Sequence, residues 1–466
     1  MTQVRLAQSK TDYEFSMPLA IIGGGACGLV AGLAAHSMGV EAVILERDEV
    51  PRGSTFMSSG FIPAANTRFQ KQAGVTDSAA RMGEDIQGKN GYQADPDIVA
   101  ALATASGGVI EWLADSHGIP FELVEGFLYP GHTRMRMHCT PRRTGEELMS
   151  CLLTAVENAG IPLLTGAQVT RLHVDENRTV TGVEYQRPDG ATEELGCSAL
   201  LLACNGYGGN PTLVEKLIPE MKDALYFGHE GNQGDALLWG EALGASMKDL
   251  GAYQGHGSLA WPHQTLISWA VMMQGGIQLN QNGERFSNEH GGYSEQAAKV
   301  LGQPGQIAYN VFDGRIHAEC LRFEDYKNAH SAGAVKVFDS LESMAAALDM
   351  PLEQLRSTFK DIDELGASEQ PDAFGRVFRQ ALRLEFPLHV IKVTGALFHT
   401  QGGLEINAEG QVLDQQGQPL PNLYAAGGAA RGVSGSGGSG YLSGNGLLSA
   451  VVMGAIAGRS AAAKAG

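Results

Sequence analysis

No two cysteines in this sequence stand at the spacing of a redox or zinc motif. The six (Cys27, Cys139, Cys151, Cys197, Cys204 and Cys320) form no CxxC, no CxxCH for haem attachment and no disulfide-like framework. A reducing cytoplasm is the simplest setting for them. Basic blocks are also missing, and the formal net charge is −18. That balance argues against nucleic acid and against an anionic membrane surface as partners. Nothing recurs with a solenoid-like period. Long apolar runs are broken. Met17 to Ala35 carries no charge and approaches a membrane span in length, but Gly23, Gly24 and Gly25 interrupt it and acidic Asp12 and Glu14 precede it. It is expected to be a buried strand–turn–helix, neither a span nor a signal peptide. A metal set is lacking too. His132 and His138 lie near Cys139 at no common zinc spacing, so they are expected to be surface or structural residues.

Glycine, by contrast, is plentiful: 62 of 466 residues, clustered in motif-like places. The length implies two or more domains, and 43% hydrophobic with 18% charged residues fits a soluble globular chain. The first cluster follows a short apolar strand, Leu19 to Ile22. Gly23-Gly24-Gly25-Ala26-Cys27-Gly28 matches GxGxxG and opens a small-residue helix to Met38. A second strand, Glu41 to Leu45, ends in Glu46. Gly23 suits the tight turn, Gly25 lets the backbone approach a pyrophosphate, and Gly28 lets helix and strand pack closely. Glu46 can accept from both hydroxyls of an adenosine ribose. Strand, motif, helix, strand and acid in that order point to a dinucleotide site. The motif leaves FAD and NAD both open. A hydroxyl-rich loop soon after it, with Arg47, Ser54, Thr55, Ser59 and Gly60, suits a second approach to pyrophosphate and flavin.

The last cluster, Gly432 to Gly446, reads GVSGSGGSGYLSGNG and leads into the apolar run LLSAVVMGAIAG. A glycine loop that opens a helix offers free N–H groups and the positive end of the helix dipole, which suits an anion or an electron-rich ring. Tyr441 is the one large polar side chain within it.

Between these ends, Pro96 to His117 and Thr144 to Ala159 have helical spacing, with Gly160 as a stop. Strand-like pieces at Ala167–Leu172, Thr179–Gln186 and Glu194–Ala203 predict a β-meander inserted in the nucleotide domain. From Ser258 to Glu385 the composition shifts to more charge, with helices near Ser340–Ala347 and Leu352–Phe359. The expected fold is α/β: a discontinuous Rossmann-like domain of residues 1–257 and 386–466, with an inserted α+β capping domain of residues 258–385. Pockets favour such domain interfaces.

The chain resembles the FAD-dependent fumarate reductase and 3-ketosteroid dehydrogenase superfamily over nearly its whole length. The likeness rests on Gly23 to Glu46, Ala203 to Asn210, Gly231 to Asp235, Gly283 to Glu289, His399 to Gly403, Asn422 to Gly427 and the closing loop. It implies a flavoprotein whose cap covers the isoalloxazine ring, with hydride passing between flavin N5 and a carbon near an electron-withdrawing group. On the cofactor side it adds Ala26, Cys27, Val169, Ala203 and Gly206. Asp235, Gly427, Gly428 and Asn445 join them, and the backbone N–H groups of Leu447 and Leu448 face the flavin pyrimidine. No histidine stands in the Ser54–Gly60 loop, where covalent members carry one, so FAD is expected to be held non-covalently.

The departures are as informative. Two arginines that grip a dicarboxylate in fumarate reductases correspond here to Tyr293 and Tyr441, and their proton-feeding glutamate and arginine align near Trp269 and Met272. Arginine holds a carboxylate with a planar fork, whereas a tyrosine hydroxyl polarises a carbonyl or moves a proton. The Tyr441-Leu442-Ser443-Gly444 pattern looks like that of the Δ4-type ketosteroid subgroup. His256 and His399 match substrate-side histidines, and Ser443 and Gly444 are expected beside the substrate. The expected activity is therefore FAD-dependent introduction of a C=C bond beside a ketone, with a small-molecule ketone or enone as partner and the electron acceptor unknown. Tyr441 would hold the carbonyl oxygen and Tyr293 would take the α-proton. The alternatives are an enoate reductase of the fumarate or urocanate type, and a flavin-bearing electron carrier.

Overall fold

A computed structural model describes residues 5–9 and 12–466. Its central strand, Ser16–Ile22, carries Leu19, Ala20, Ile21 and Ile22 buried on both faces. Continuous apolar runs of this kind mark a parallel sheet covered on both sides. Ala42–Leu45 pairs with it in parallel on one side and in turn takes Leu163–Leu164 as its own parallel neighbour, while Thr192–Leu202 pairs on the other side. The first half of Thr192–Leu202 closes the expected antiparallel meander with Gln168–Val174 and Val180–Gln186. Its second half runs parallel to Ser16–Ile22 and to Pro419–Ala425. Helix Ala26–His36 packs on the C-terminal helix Gly454–Ala465 through small residues. A Cβ added at Gly458 would stand 2.5 Å from the Ala31 carbonyl oxygen. The run Met17–Ala35 is thus a strand, a turn and a helix.

Gly107-Gly108 leaves helix Pro96–His117 unbroken, because Gly107 lies against the backbone of Ala65, whose carbonyl oxygen a Cβ would meet at 2.3 Å. Two helical spans, Pro96–His117 and Asn445–Ala465, are long and apolar enough to cross a membrane by length and composition. Half or more of each is buried inside the protein.

A second, seven-stranded sheet is centred on Leu388–Thr400, which pairs with Tyr253–Ala260, Ile307–Asp313, Val335–Phe338 and Leu225–Tyr226. It extends beyond residues 258–385: position 257/258 falls inside a strand, and the central strand lies wholly after 385. The glycine content of these two strands has a packing cause. Helix Tyr293–Leu301 lies on them, and a Cβ at Gly255, Gly257 or Gly395 would run into Ala297, Ser294 or Gln296. Helices Leu341–Leu348 and Leu352–Ser368 follow. The second continues past Phe359 because Ile362 and Leu365 extend its apolar face.

Candidate active site

A cavity runs from the carboxyl end of strand Ser16–Ile22 to the second sheet and encloses about 1710 Å³ of empty space, its open mouth included. At its first end the Glu46 carboxylate accepts from the N–H groups of Gly24 (2.7 Å) and Asp48 (2.9 Å). The Arg47 guanidinium donates to the Gly231 carbonyl at 2.9 Å and ties down the loop before helix Asp235–Leu243. Ser54 Oγ receives Asn205 Nδ2 (3.2 Å), Asn232 Nδ2 (3.0 Å) and the His229 N–H (3.4 Å). Three donors on a hydroxyl with two lone pairs leave donor capacity over. Trp239, also in the wall, has a buried indole N–H with no acceptor among the described residues.

Gly23, Gly25, Ala26, Cys27, Ser54, Thr55, Ser59 and Gly60 line this cavity, as do Val169, Ala203, Asp235, Gly427, Gly428 and Leu447. Four expected cofactor positions do not. A Cβ at Gly28 would lie 1.9 Å from the Gly23 carbonyl oxygen, and one at Gly206 would lie 1.9 Å from Thr400 Oγ1. These two glycines shape the wall from behind. Asn445 is fully buried, donating to Ser434 Oγ at 3.1 Å and to the Val433 carbonyl at 3.4 Å. Leu448 is buried, and its N–H is committed to the Gly444 carbonyl at 2.9 Å. Leu447, one residue earlier, has no such backbone acceptor among the described residues. The helix start therefore offers one N–H to the cavity where two were expected.

The far end is aromatic. Tyr293 begins helix Tyr293–Leu301, and Tyr441 leaves the closing loop. Their rings meet edge-on at 6.0 Å between centroids. The Tyr293 hydroxyl lies near the hydroxyls of Ser443 and Tyr441 and near the Gly444 N–H. Burial pushes its phenol up, and these three contacts limit the rise to about 12. Tyr441, which accepts the Gly446 N–H at 3.3 Å, is pushed further above the ordinary tyrosine value by burial and by its neighbour Tyr293. Both are protonated at neutral pH, and Tyr293 is the easier to ionise.

His256 and His399 sit on neighbouring antiparallel strands, Tyr253–Ala260 and Leu388–Thr400, beside a β-bulge. Bulges commonly re-aim side chains next to active sites. His256 stacks on Tyr293 at 4.7 Å and on Phe398 at 5.4 Å. Its Nδ1 accepts the Ser258 N–H at 3.1 Å, which places the ring proton on Nε2. Gln401, whose amide orientation is fixed by Ser434, donates to His399 Nδ1 at 2.6 Å with the same result. Burial lowers His256 to about 3 and His399 to about 4. Both are neutral donors, and His256 meets Tyr293 through ring faces.

Tyr129, Phe227, Phe398, Ser268 and Gln254 also line the site. Sequence reasoning missed them. The one available signal was the aromatic pair Phe127 and Tyr129 between Gly126 and Gly131, both at positive φ. Trp269 is buried and donates its indole N–H to the Glu289 carbonyl at 3.0 Å. Glu289 itself anchors the turn before Tyr293. Burial would raise its carboxyl, but Arg376 (2.8 Å) and Arg285 (2.6 Å) hold it down at about 2.

Residues 19–447 match the family described as FAD binding domain. The chain belongs to that family. It is 29% identical over 447 residues to a probable fumarate reductase, Ifc3, of Shewanella frigidimarina, covering 95% of this chain and 74% of that protein. The structure of an open flavocytochrome c3 fumarate reductase superposes with a TM-score of 0.81 at 28% identity, covering 97% of this chain and 79% of the other. A 3-ketosteroid-Δ4-(5α)-dehydrogenase from Rhodococcus jostii RHA1 superposes at 0.78 with 22% identity and 99% of both chains, a likeness of fold. The protein is an FAD-dependent oxidoreductase of carbon–carbon double bonds. Its residues fit the cofactor: an acid where the fingerprint leads one to expect the ribose, spare donors at Ser54, and, among the described residues, an indole N–H without acceptor at Trp239 and an open N–H at Leu447.

Gly25 gives a direct check. Its backbone (φ −75°, ψ −179°) accepts any residue, and a Cβ there would meet only Thr55 Oγ1, at 3.8 Å. Gly25→Val is expected to keep its far-ultraviolet circular dichroism but to lose bound flavin on desalting, because the branched side chain fills the cofactor's path.

Proposed function

We propose that this enzyme transfers hydride at a C=C bond conjugated to an uncharged carbonyl, with Tyr293 exchanging the proton at the α-carbon and Tyr441 holding the carbonyl oxygen. One observation carries the reading: among the described lining residues Arg47 is the sole lysine or arginine, and it stands at the nucleotide end. A carboxylate at the tyrosine end would find no cation. A ketone oxygen would find the Tyr441 hydroxyl and the neutral Nε2–H donors of His256 and His399.

Bound FAD supplies the hydride donor or acceptor, and it is held here without a covalent bond. The remaining work falls to side chains. Tyr441 accepts from Gly446, so its own proton is free for the substrate oxygen or for Tyr293. Tyr293, backed by Ser443 and Tyr441, gives a proton to the α-carbon during saturation and takes it back during desaturation. The closed aromatic wall keeps water from competing for that proton.

The position of Tyr293 near 12 sets the direction of the pH dependence. Saturation needs the protonated phenol, so its rate is expected to be flat through the neutral range and to fall only at strongly alkaline pH. Desaturation needs the phenolate, so its rate is expected to rise about tenfold per pH unit below that value. Stopped-flow flavin absorbance with a cyclic enone and with its saturated ketone measures both. Parallel pH profiles for the two directions would contradict the assignment.

A further inference from the structure

Of the two expectations for His132, surface or structural, the second holds: it lies buried against the closing loop. Its Nε2 is 3.0 Å from the Ser443 carbonyl oxygen, and its Nδ1 is 3.4 Å from Arg136 Nη1. A guanidinium can only donate, so Nδ1 accepts and Nε2 carries the proton given to Ser443. Arg136 is itself fixed: it donates to both Asp77 carboxylate oxygens at 2.6 and 3.0 Å, and to Asp85. The Ser443 carbonyl belongs to the Ser443–Gly444 peptide group. The N–H at the other end of that group is the Gly444 N–H, which lies near the hydroxyls of both Tyr293 and Tyr441 and favours their ionised forms. A peptide unit is planar, so orienting its C=O orients its N–H. Donation to the C=O also polarises the N–H, as hydrogen bonds in a chain strengthen one another. Gly444 holds the unit from the other side. Its φ of +85° and its closeness to Pro63, 2.6 Å from a Cβ added there, exclude a side chain.

We propose that His132 is a positioning residue for the tyrosine pair, acting through the Ser443–Gly444 peptide group. The Asp77–Arg136 pair fixes the His132 tautomer, His132 fixes the peptide, and the orientation of the peptide N–H sets the electrostatic surroundings of the two phenols. This rests on the reading of Tyr293 and Tyr441 as the proton-handling pair.

The test compares two polar replacements in the FAD-loaded protein. In His132→Gln the side-chain amide reaches the place of Nε2. In His132→Asn it reaches only the place of Nδ1, so the donor to Ser443 is lost. Tyrosine labelled with ¹³C at Cζ reports phenol hydrogen bonding without any substrate, and Tyr293→Phe and Tyr441→Phe assign the two signals. Both signals are expected to move in His132→Asn and to return in His132→Gln. Enone saturation by His132→Asn is expected to lose about tenfold in kcat, the equivalent of one hydrogen bond, with KM unchanged. Unmoved signals with unchanged kcat in His132→Asn would overturn the proposal. The unmodified protein gives a second measure that needs no folded variant. ¹⁵N spectra should show His132 as a single Nε2–H tautomer across the neutral range, and a ring exchanging between tautomers would also overturn it. If the signals move as expected while Tyr293→Phe turns over normally, the positioning stands and the assignment of the proton to Tyr293 fails.

Discussion

Tyr293→Phe is expected to slow enone saturation by about 10²–10⁴-fold, the usual contribution of a positioned acid or base, with FAD still bound. Phenylalanine keeps the ring that stacks on His256 and meets Tyr441 edge-on, so packing is preserved and only the hydroxyl goes. Single-turnover reoxidation of the pre-reduced variant by a cyclic enone separates this step from binding. The loss should appear in the limiting rate and hardly in the half-saturating concentration. His256 cannot take over. Burial lowers it to about 3, so at neutral pH it is a neutral imidazole, a hydrogen-bond donor but too weak an acid to protonate carbon, and its faces rather than its nitrogens address Tyr293.

Glu289→Gln should destabilise the second sheet and its helices by about 3–5 kcal/mol, the range for breaking a buried ion pair from one side. Arg376 is 2% exposed and would lose its carboxylate partner, and Arg285 would keep Asp372 as its one carboxylate among the described residues, with the Ser287 carbonyl. Denaturant titration of the variant is expected to show a lower midpoint, with flavin released early. The pH dependence follows the same logic. A carboxyl depressed to about 2 contributes fully above its unfolded value near 4.5, and that contribution is lost as pH falls toward 2. Activity should fall with stability, because the turn held by Glu289 leads directly into Tyr293.

The nucleotide half was legible because its rules are local. Strand, GxGxxG, helix and Glu46 follow within one βαβ unit, and the meander showed its alternation and its turn at Pro188-Asp189-Gly190. The second sheet was harder to bound. The glycines of Tyr253–Ala260 and Leu388–Thr400 look like cofactor glycines in sequence, but they serve the close approach of helix Tyr293–Leu301. Tyr293 and Tyr441 could be named from their motif positions. Tyr129, Phe398 and His132 could not: the first two reach the site through tertiary packing, on a loop between two left-handed glycines and on a bulged strand, and His132 lies behind the closing loop against the buried Arg136. Leu448 was misjudged for a simpler reason. The Gly444 carbonyl at the helix start takes its N–H, and only the chain's path shows that.

The central claim is that an uncharged conjugated carbonyl has replaced the dicarboxylate. Anaerobic stopped-flow mixing of the FAD-loaded, pre-reduced enzyme with a neutral cyclic enone and, separately, with fumarate tests it most directly. Rapid flavin reoxidation by the enone and none above background by fumarate is the predicted result. Reoxidation by fumarate as fast as by the enone would contradict it.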